Sequence, residues 1–150
     1  MSMKRIQLSL MNKAQLLSID SVQLIPVQRV IDDRGVMTVV SESSTPFLIK
    51  RIFSISSVNA NRGNHAHKEC SQFIVCLTGQ LKVVVNDGEA EKKYELNASS
   101  NGLLIPPGIW AYQEYGSEST MINVYCDQEY KESDYIRSFD DYKDYRNKFF

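Results

Sequence analysis

Cysteine is scarce in this 150-residue chain: Cys70, Cys76 and Cys126 are three in number and show no CxxC spacing. That pattern excludes a disulfide framework or a zinc knuckle and points to a reduced, cytoplasmic setting. Histidine is scarcer still, with two residues, so any imidazole chemistry must come from that pair. No apolar run is long enough for a signal peptide or a membrane span, because Lys4, Arg5 and Lys13 interrupt the N-terminal stretches. No membrane partner is expected. An excess of basic charge is also missing: 17 Lys and Arg against 18 Asp and Glu leave a net charge of -1. Nucleic acid is therefore not an expected partner, and a bound phosphate would need a local cationic cluster. Internal repeats and low-complexity linkers are absent.

What is there is ordinary globular composition, 43% hydrophobic and 23% charged, in a length suited to one domain spanning residues 1–150. Residues 1–20 read as an N-terminal extension. Stretches rich in β-branched and aromatic residues run from Val22 to Val30, Val36 to Val40 and Phe47 to Val58, the first two separated by the turn Asp32-Asp33-Arg34-Gly35. A meander follows in Gln72 to Leu77, Leu81 to Val85 and Lys92 to Leu96, with turns at Thr78-Gly79 and Asn86-Asp87-Gly88. Leu103 to Ile105, Trp110 to Tyr115 and Thr120 to Tyr125 close the series around Pro106-Pro107-Gly108. So many short strands predict an all-β jelly roll or barrel. Only the tail changes period: Tyr135, Ile136, Phe139, Tyr142, Tyr145 and Phe149 approximate a helical stripe, predicting a helical tail over 133–150 that packs its aromatics in a core or an interface.

Chemistry concentrates in Arg62-Gly63-Asn64-His65-Ala66-His67-Lys68. Side chains two apart on a strand share a face, roughly 6.5 to 7 Å between Cα atoms, so His65 and His67 can address one small substrate. Such a pair serves metal ligation or acid–base work, since imidazole titrates near neutrality. The segment resembles the first cupin motif, with Gln72 at the position of the acidic ligand and Gly79 at its glycine. Gly102 through Ala111 resembles the second motif, with Ala111 at the position of the last histidine. An amide and a methyl in place of two ligands leave too few donors for a divalent transition ion, so no metal is expected.

Arg62 to Lys68 with Gln72 resembles, more narrowly, the signature of dTDP-4-keto-6-deoxyglucose 3,4-ketoisomerases. Asp33-Arg34-Gly35, Lys50-Arg51-Ile52, Ile105 to Trp110 and Tyr130 to Arg137 resemble that family too, covering most of the chain from Val22. One departure is Phe53, where some members carry a tyrosine. The resemblance implies a cupin-type jelly-roll β-barrel with a short C-terminal helix, a dTDP-linked keto-sugar substrate, no cofactor and a homodimer. It also implies a place in deoxysugar synthesis for surface polysaccharide.

Moving a carbonyl from C4 to C3 requires loss of the C3 proton, an enediol and protonation at C4, which two imidazoles can serve. His65 and His67 are the expected catalytic pair, with the carbon base left open between them and His67 favoured. Gln72 is a candidate hydrogen-bond donor to the enediolate. Arg51, Arg62 and Lys68 are candidates for the diphosphate. Trp110, Tyr112 and Tyr115 stand beyond the Pro-Gly turn, where they either stack on substrate or pack the core; strand alternation sets Trp110 and Tyr112 on one face and Ala111 with Gln113 on the other. Tyr115 is retained as a substrate-binding candidate. A 3,5-epimerase and a non-catalytic sugar-nucleotide binder are the alternative readings.

Overall fold

The computed structural model describes residues 18–56 and 58–148. Lys4, Arg5, Lys13 and Phe149 lie outside the described residues, as does almost all of the expected N-terminal extension. Twelve strands and one α-helix are present among the described residues: β1 (Gln23–Ile25), β2 (Gln28–Asp32), β3 (Gly35–Val39), β4 (Arg51–Ile55), β5 (Arg62–His67), β6 (Gln72–Thr78), β7 (Gln80–Asn86), β8 (Glu91–Asn97), β9 (Gly102–Ile105), β10 (Trp110–Tyr115), β11 (Met121–Cys126), β12 (Tyr135–Ile136) and α1 (Phe139–Asn147).

The meander forms as its turn residues predict, with β7 and β8 paired antiparallel around Asp87-Gly88, where the Asp87 carboxylate accepts the backbone N–H groups of Glu89 and Ala90. The stretch from Val22 to Val30 does not make one strand. It breaks at Pro26, which has no N–H for a ladder. Likewise only Arg51–Ile55 of the stretch from Phe47 to Val58 is strand, while Phe47 turns into a core cluster.

Two five-stranded antiparallel sheets, ordered β1-β9-β6-β11-β4 and β12-β5-β10-β7-β8, carry the jelly roll, and β2 with β3 forms a separate hairpin. No strand ladder joins the two sheets among the described residues, so the expected barrel is a pair of facing sheets rather than a hydrogen-bonded closed cylinder. Alternation sorts the side chains. Ile74 and Cys76 of β6, Val83 and Val85 of β7 and Ile122 and Val124 of β11 meet in one buried cluster, while Phe73, Val75 and Tyr125 from the intervening positions form a second cluster with Ile25 and Phe47. Each fully buried aliphatic side chain contributes about 1.5–3 kcal/mol relative to exposure, so the inner cluster is the main support of the fold.

The tail differs from the expected continuous helix. Glu132–Asp134 is a single 3-10 turn, Tyr135–Ile136 pairs with β5, and the helix proper begins at Phe139 behind the N-cap Ser138, whose side chain accepts the Asp141 N–H. The ladder to β5 overrides the helical period of the first two aromatic-stripe positions. The remaining stripe packs as core: Tyr142 is fully buried with Ala66, Trp110 and Ile136, and Tyr145 packs against them.

Candidate active site

Strand β5 is shaped for its task by a bulge. Gly63 (φ 94°) and Asn64 (φ 58°) adopt left-handed backbone, and the register with β10 shifts between Ala111 and Tyr112. A Cβ on Gly63 would sit 2.9 Å from the Tyr112 Cα, so only glycine fits this approach. Beyond the bulge, His65 stands opposite Ala111, which packs against the inner cluster, and His67 follows on the same face. The imidazole centroids are 5.0 Å apart in a T-shaped arrangement.

Two other segments complete the surroundings. The turn Pro106-Pro107-Gly108 is tied to the histidine strand by the Gly108 N–H, which donates to the His67 carbonyl at 2.7 Å. Strand β12 places Tyr135 opposite His67, so its ring faces both imidazoles, with centroids 4.4 Å from His67 and 5.1 Å from His65. The residue before it, Asp134, is buried, and its Oδ2 lies 2.8 Å from His67 Nδ1 while Oδ1 accepts the Glu69 N–H at 2.6 Å. A carboxylate can only accept, so Nδ1 carries the proton and Nε2 presents a lone pair. That Nε2 is buried and has no hydrogen-bond partner.

From the facing sheet, Arg51, Cys126 and Gln72 stand in one row across β4, β11 and β6. Arg51 donates to Cys126 Sγ at 3.4 Å and lies 5.6 Å from the ring centres of both Phe53 and Tyr130. The Cys126 thiol is lowered by a hydrogen bond from Cys70 and then by Arg51, against its burial.

Burial holds both histidines neutral. It pushes His65 down to about 4, aided by the neighbouring His67, with the Gly63 backbone pulling the other way. His67 is lowered by burial as well, with Asp134 pulling the other way. Neutral imidazoles present a lone pair at neutral pH, and Asp134 both orients that of His67 and opposes the weakening that burial brings to it as a base.

His67, Cys70 and Asp134 offer ligand atoms within 4.8 Å of one another. Both Asp134 oxygens are engaged by N–H donors, and Gln72 and Ala111 contribute no charged donor, so the group fits a hydrogen-bonded dyad rather than an ion site.

The structure thus brings His65 and His67 together with the charge of Arg51 near His67, sets Gln72 in one row with Arg51, and separates others. Tyr115 lies at the far end of β10, its hydroxyl donating to Gln113 Oε1; burial pushes its pKa up to about 12 against the nearby charge of Arg62. Arg62 is exposed and begins β5, at the end away from His67. Lys68 is exposed beyond the pair, with its Nζ donating to the Ser133 carbonyl. Trp110 belongs to the packing beneath α1. Asp134 and Tyr135 are site residues that sequence reasoning assigned to the helical tail; their signal was the Tyr130 to Arg137 segment, read there as resemblance alone.

Similarity to known proteins agrees with this geometry. A TDP-4-oxo-6-deoxy-alpha-D-glucose-3,4-oxoisomerase from Aneurinibacillus thermoaerophilus is 33% identical over 126 residues, covering 82% of this chain and 91% of that protein. The structure of QdtA, a sugar 3,4-ketoisomerase from Thermoanaerobacterium thermosaccharolyticum in complex with TDP, superposes with a TM-score of 0.81 at 34% identity, covering 89% of this chain and 99% of the other. A 3,4-ketoisomerase from Helicobacter canadensis superposes with a TM-score of 0.77 at 30% identity, over 84% and 97% of the two chains. With residues 20–147 matching the family model described as FdtA: WxcM-like, C-terminal, the chain belongs to that family of sugar-isomerase cupins.

Proposed function

We propose that this chain is a TDP-4-keto-6-deoxyglucose 3,4-ketoisomerase in which His67 is the carbon base. The observation that carries the reading is the buried His67–Asp134 pair, which leaves the Nε2 lone pair without a protein partner. His67 takes the C3 proton and returns it at C4, while the lone pair of His65 accepts the proton of the C3 hydroxyl. Arg51 and Gln72 stabilise the negative charge that develops on the enediolate oxygens. Exposed Arg62 and Lys68 are assigned to the diphosphate, and Tyr115 to the substrate-binding wall beyond Gln113. The residues present suffice for proton transfer without a metal or redox cofactor.

The reading extends to a homodimer, favoured by the β2–β3 hairpin, which exposes Ile31 with Val36 on one face and Met37 with Val30 on the other. It extends also to a cytoplasmic place in deoxysugar synthesis for surface polysaccharide, favoured by three free, buried cysteines and by the nucleotide-linked substrate.

The test is an NMR time course of TDP-4-keto-6-deoxyglucose in deuterated buffer with EDTA-treated protein. A 3-keto product is expected, absent with His67→Asn. Carbonyl retention at C4 with exchange at C3 and C5 would make the protein an epimerase, and binding without turnover would make it a sensor. Loss of turnover on EDTA treatment alone would restore a metal.

A further inference from the structure

The two imidazoles supply lone pairs, yet the isomerisation also needs a proton delivered to the C4 oxygen. His67 commits its N–H to Asp134, and His65 commits its own to the Gly63 backbone. Neither neutral ring then retains an N–H for the sugar, because a neutral imidazole has one donor. Around the pair, Tyr130 donates its hydroxyl to Glu132, and Phe53, beside Arg51, has none. Tyr135 is different. Its ring faces both imidazoles at 4.4 and 5.1 Å, it is half-buried, and the nearby Arg51 charge pulls its pKa down against burial. A guanidinium only donates, so Arg51 makes no claim on the hydroxyl proton and favours its release. Arg137 stacks on the same ring at 4.4 Å and is held in turn by Glu132, which fixes the ring's orientation.

We propose that Tyr135 is a catalytic residue that protonates the C4 oxygen as the enediol forms. The step rests on the ketoisomerase reading and forms a closed proton cycle. His67 takes the C3 proton, the electron pair of that C–H bond forms the C3–C4 double bond, and the C4 oxygen takes the proton of Tyr135. His65 takes the proton of the C3 hydroxyl, whose oxygen becomes the new carbonyl as His67 delivers its proton to C4. Protonated His65, 5.1 Å away in ring centroid, then restores the Tyr135 hydroxyl. No oxidant or further reactant enters. Arg51 supports the transient phenolate by its charge, opposing the upward push that burial gives the Tyr135 pKa.

The experiment is steady-state kinetics of Tyr135→Phe and of protein carrying 3-fluorotyrosine at position 135, with thermal melts to confirm folding. Tyr135→Phe is expected to lower kcat by about 10²-fold or more with KM within about threefold, the size usual for a lost general acid. The fluorinated ring, more acidic but of nearly the same shape, is expected to move the alkaline limb of kcat to lower pH, which a packing role would not do. Unchanged kcat in the phenylalanine variant, or an unmoved limb in the fluorinated one, overturns the assignment while leaving the ketoisomerase standing. Absence of turnover in the wild-type protein overturns both.

Discussion

His67 Nδ1 meets Asp134 Oδ2 at 2.8 Å across a sequence separation of 67 residues, and both groups are buried. The contact orients the imidazole, and its partner oxygen is anchored by the Glu69 N–H, so the carboxylate is itself held in place. Replacing Asp134 by Asn is expected to lower kcat by about 10²-fold or more through loss of the correct tautomer. Because Asp134 raises the His67 pKa against burial, its loss should also move the acid limb of kcat/KM to lower pH. A pH–rate profile of the variant measures both effects, and an unmoved limb would separate Asp134 from the base.

Acid should destabilise the fold through the same histidines. Burial holds His65 at about 4 in the folded protein against 6.5 ordinarily, and His67 is lowered in the same direction. Above the ordinary value neither the folded nor the unfolded chain is protonated and nothing is lost. Between 6.5 and about 4 the unfolded chain binds protons that the folded one refuses, so stability falls as pH falls through that window. Urea midpoints measured across the window are expected to decline, and less steeply in His65→Gln.

Gly63→Ala tests the bulge. The added methyl meets the Tyr112 backbone at 2.9 Å and must sit at φ 94°, where a side chain is strained. A loss of about 1–3 kcal/mol from the conformation alone is expected in chemical denaturation, with kcat reduced because His65 and His67 lie just beyond the displaced turn. A variant with wild-type stability would show that the strand accommodates the methyl by shifting register.

The helix is coupled to the site through the Gly108 carbonyl, which accepts from Tyr142 and from Arg146. Buried Tyr142 of α1 donates to the carbonyls of Asn86 at 2.9 Å and Gly108 at 2.8 Å, and the Gly108 N–H in turn holds the His67 carbonyl. Tyr142→Phe removes the shared donor while Arg146 still reaches the Gly108 carbonyl, so the expected cost is about 1 kcal/mol, that of one net hydrogen bond. KM should change little, because the ring still fills its place beside Ala66 and Trp110. Denaturation and steady-state kinetics on the same preparation separate the two.

Much of the site was legible from the chain because strand geometry is local. Alternation alone puts His65 and His67 on one face, puts Trp110 and Ala111 on opposite faces, and leaves Gln72 and Ala111 unable to complete a metal site. The turn residues at Asp32 to Gly35 and Asn86 to Gly88 likewise announce their hairpins. Tyr115 and Arg62 were harder to place. Arg62 stands five positions before His67 on β5, and Tyr115 lies beyond the Gln113–Arg62 pair of β10, so the register of β10 on β5, which no local pattern encodes, decides the distance of Tyr115 from His67.

The tail shows most plainly what local reading misses. Its aromatic spacing suits a helix, and from Phe139 onward a helix forms, with Tyr142 as core. Asp134 and Tyr135 instead leave that period because β5 offers them an unpaired edge, and pairing Tyr135 with His67 delivers a carboxylate and an aromatic ring to the imidazoles. By itself the sequence determined the strand class, the paired histidines and the missing metal ligands, since each rests on residue type and spacing within a few positions. Tertiary structure alone decided which carboxylate orients His67 and which aromatic ring packs on it, because contacts between residues 67 apart depend on sheet-edge register, which no local periodicity encodes.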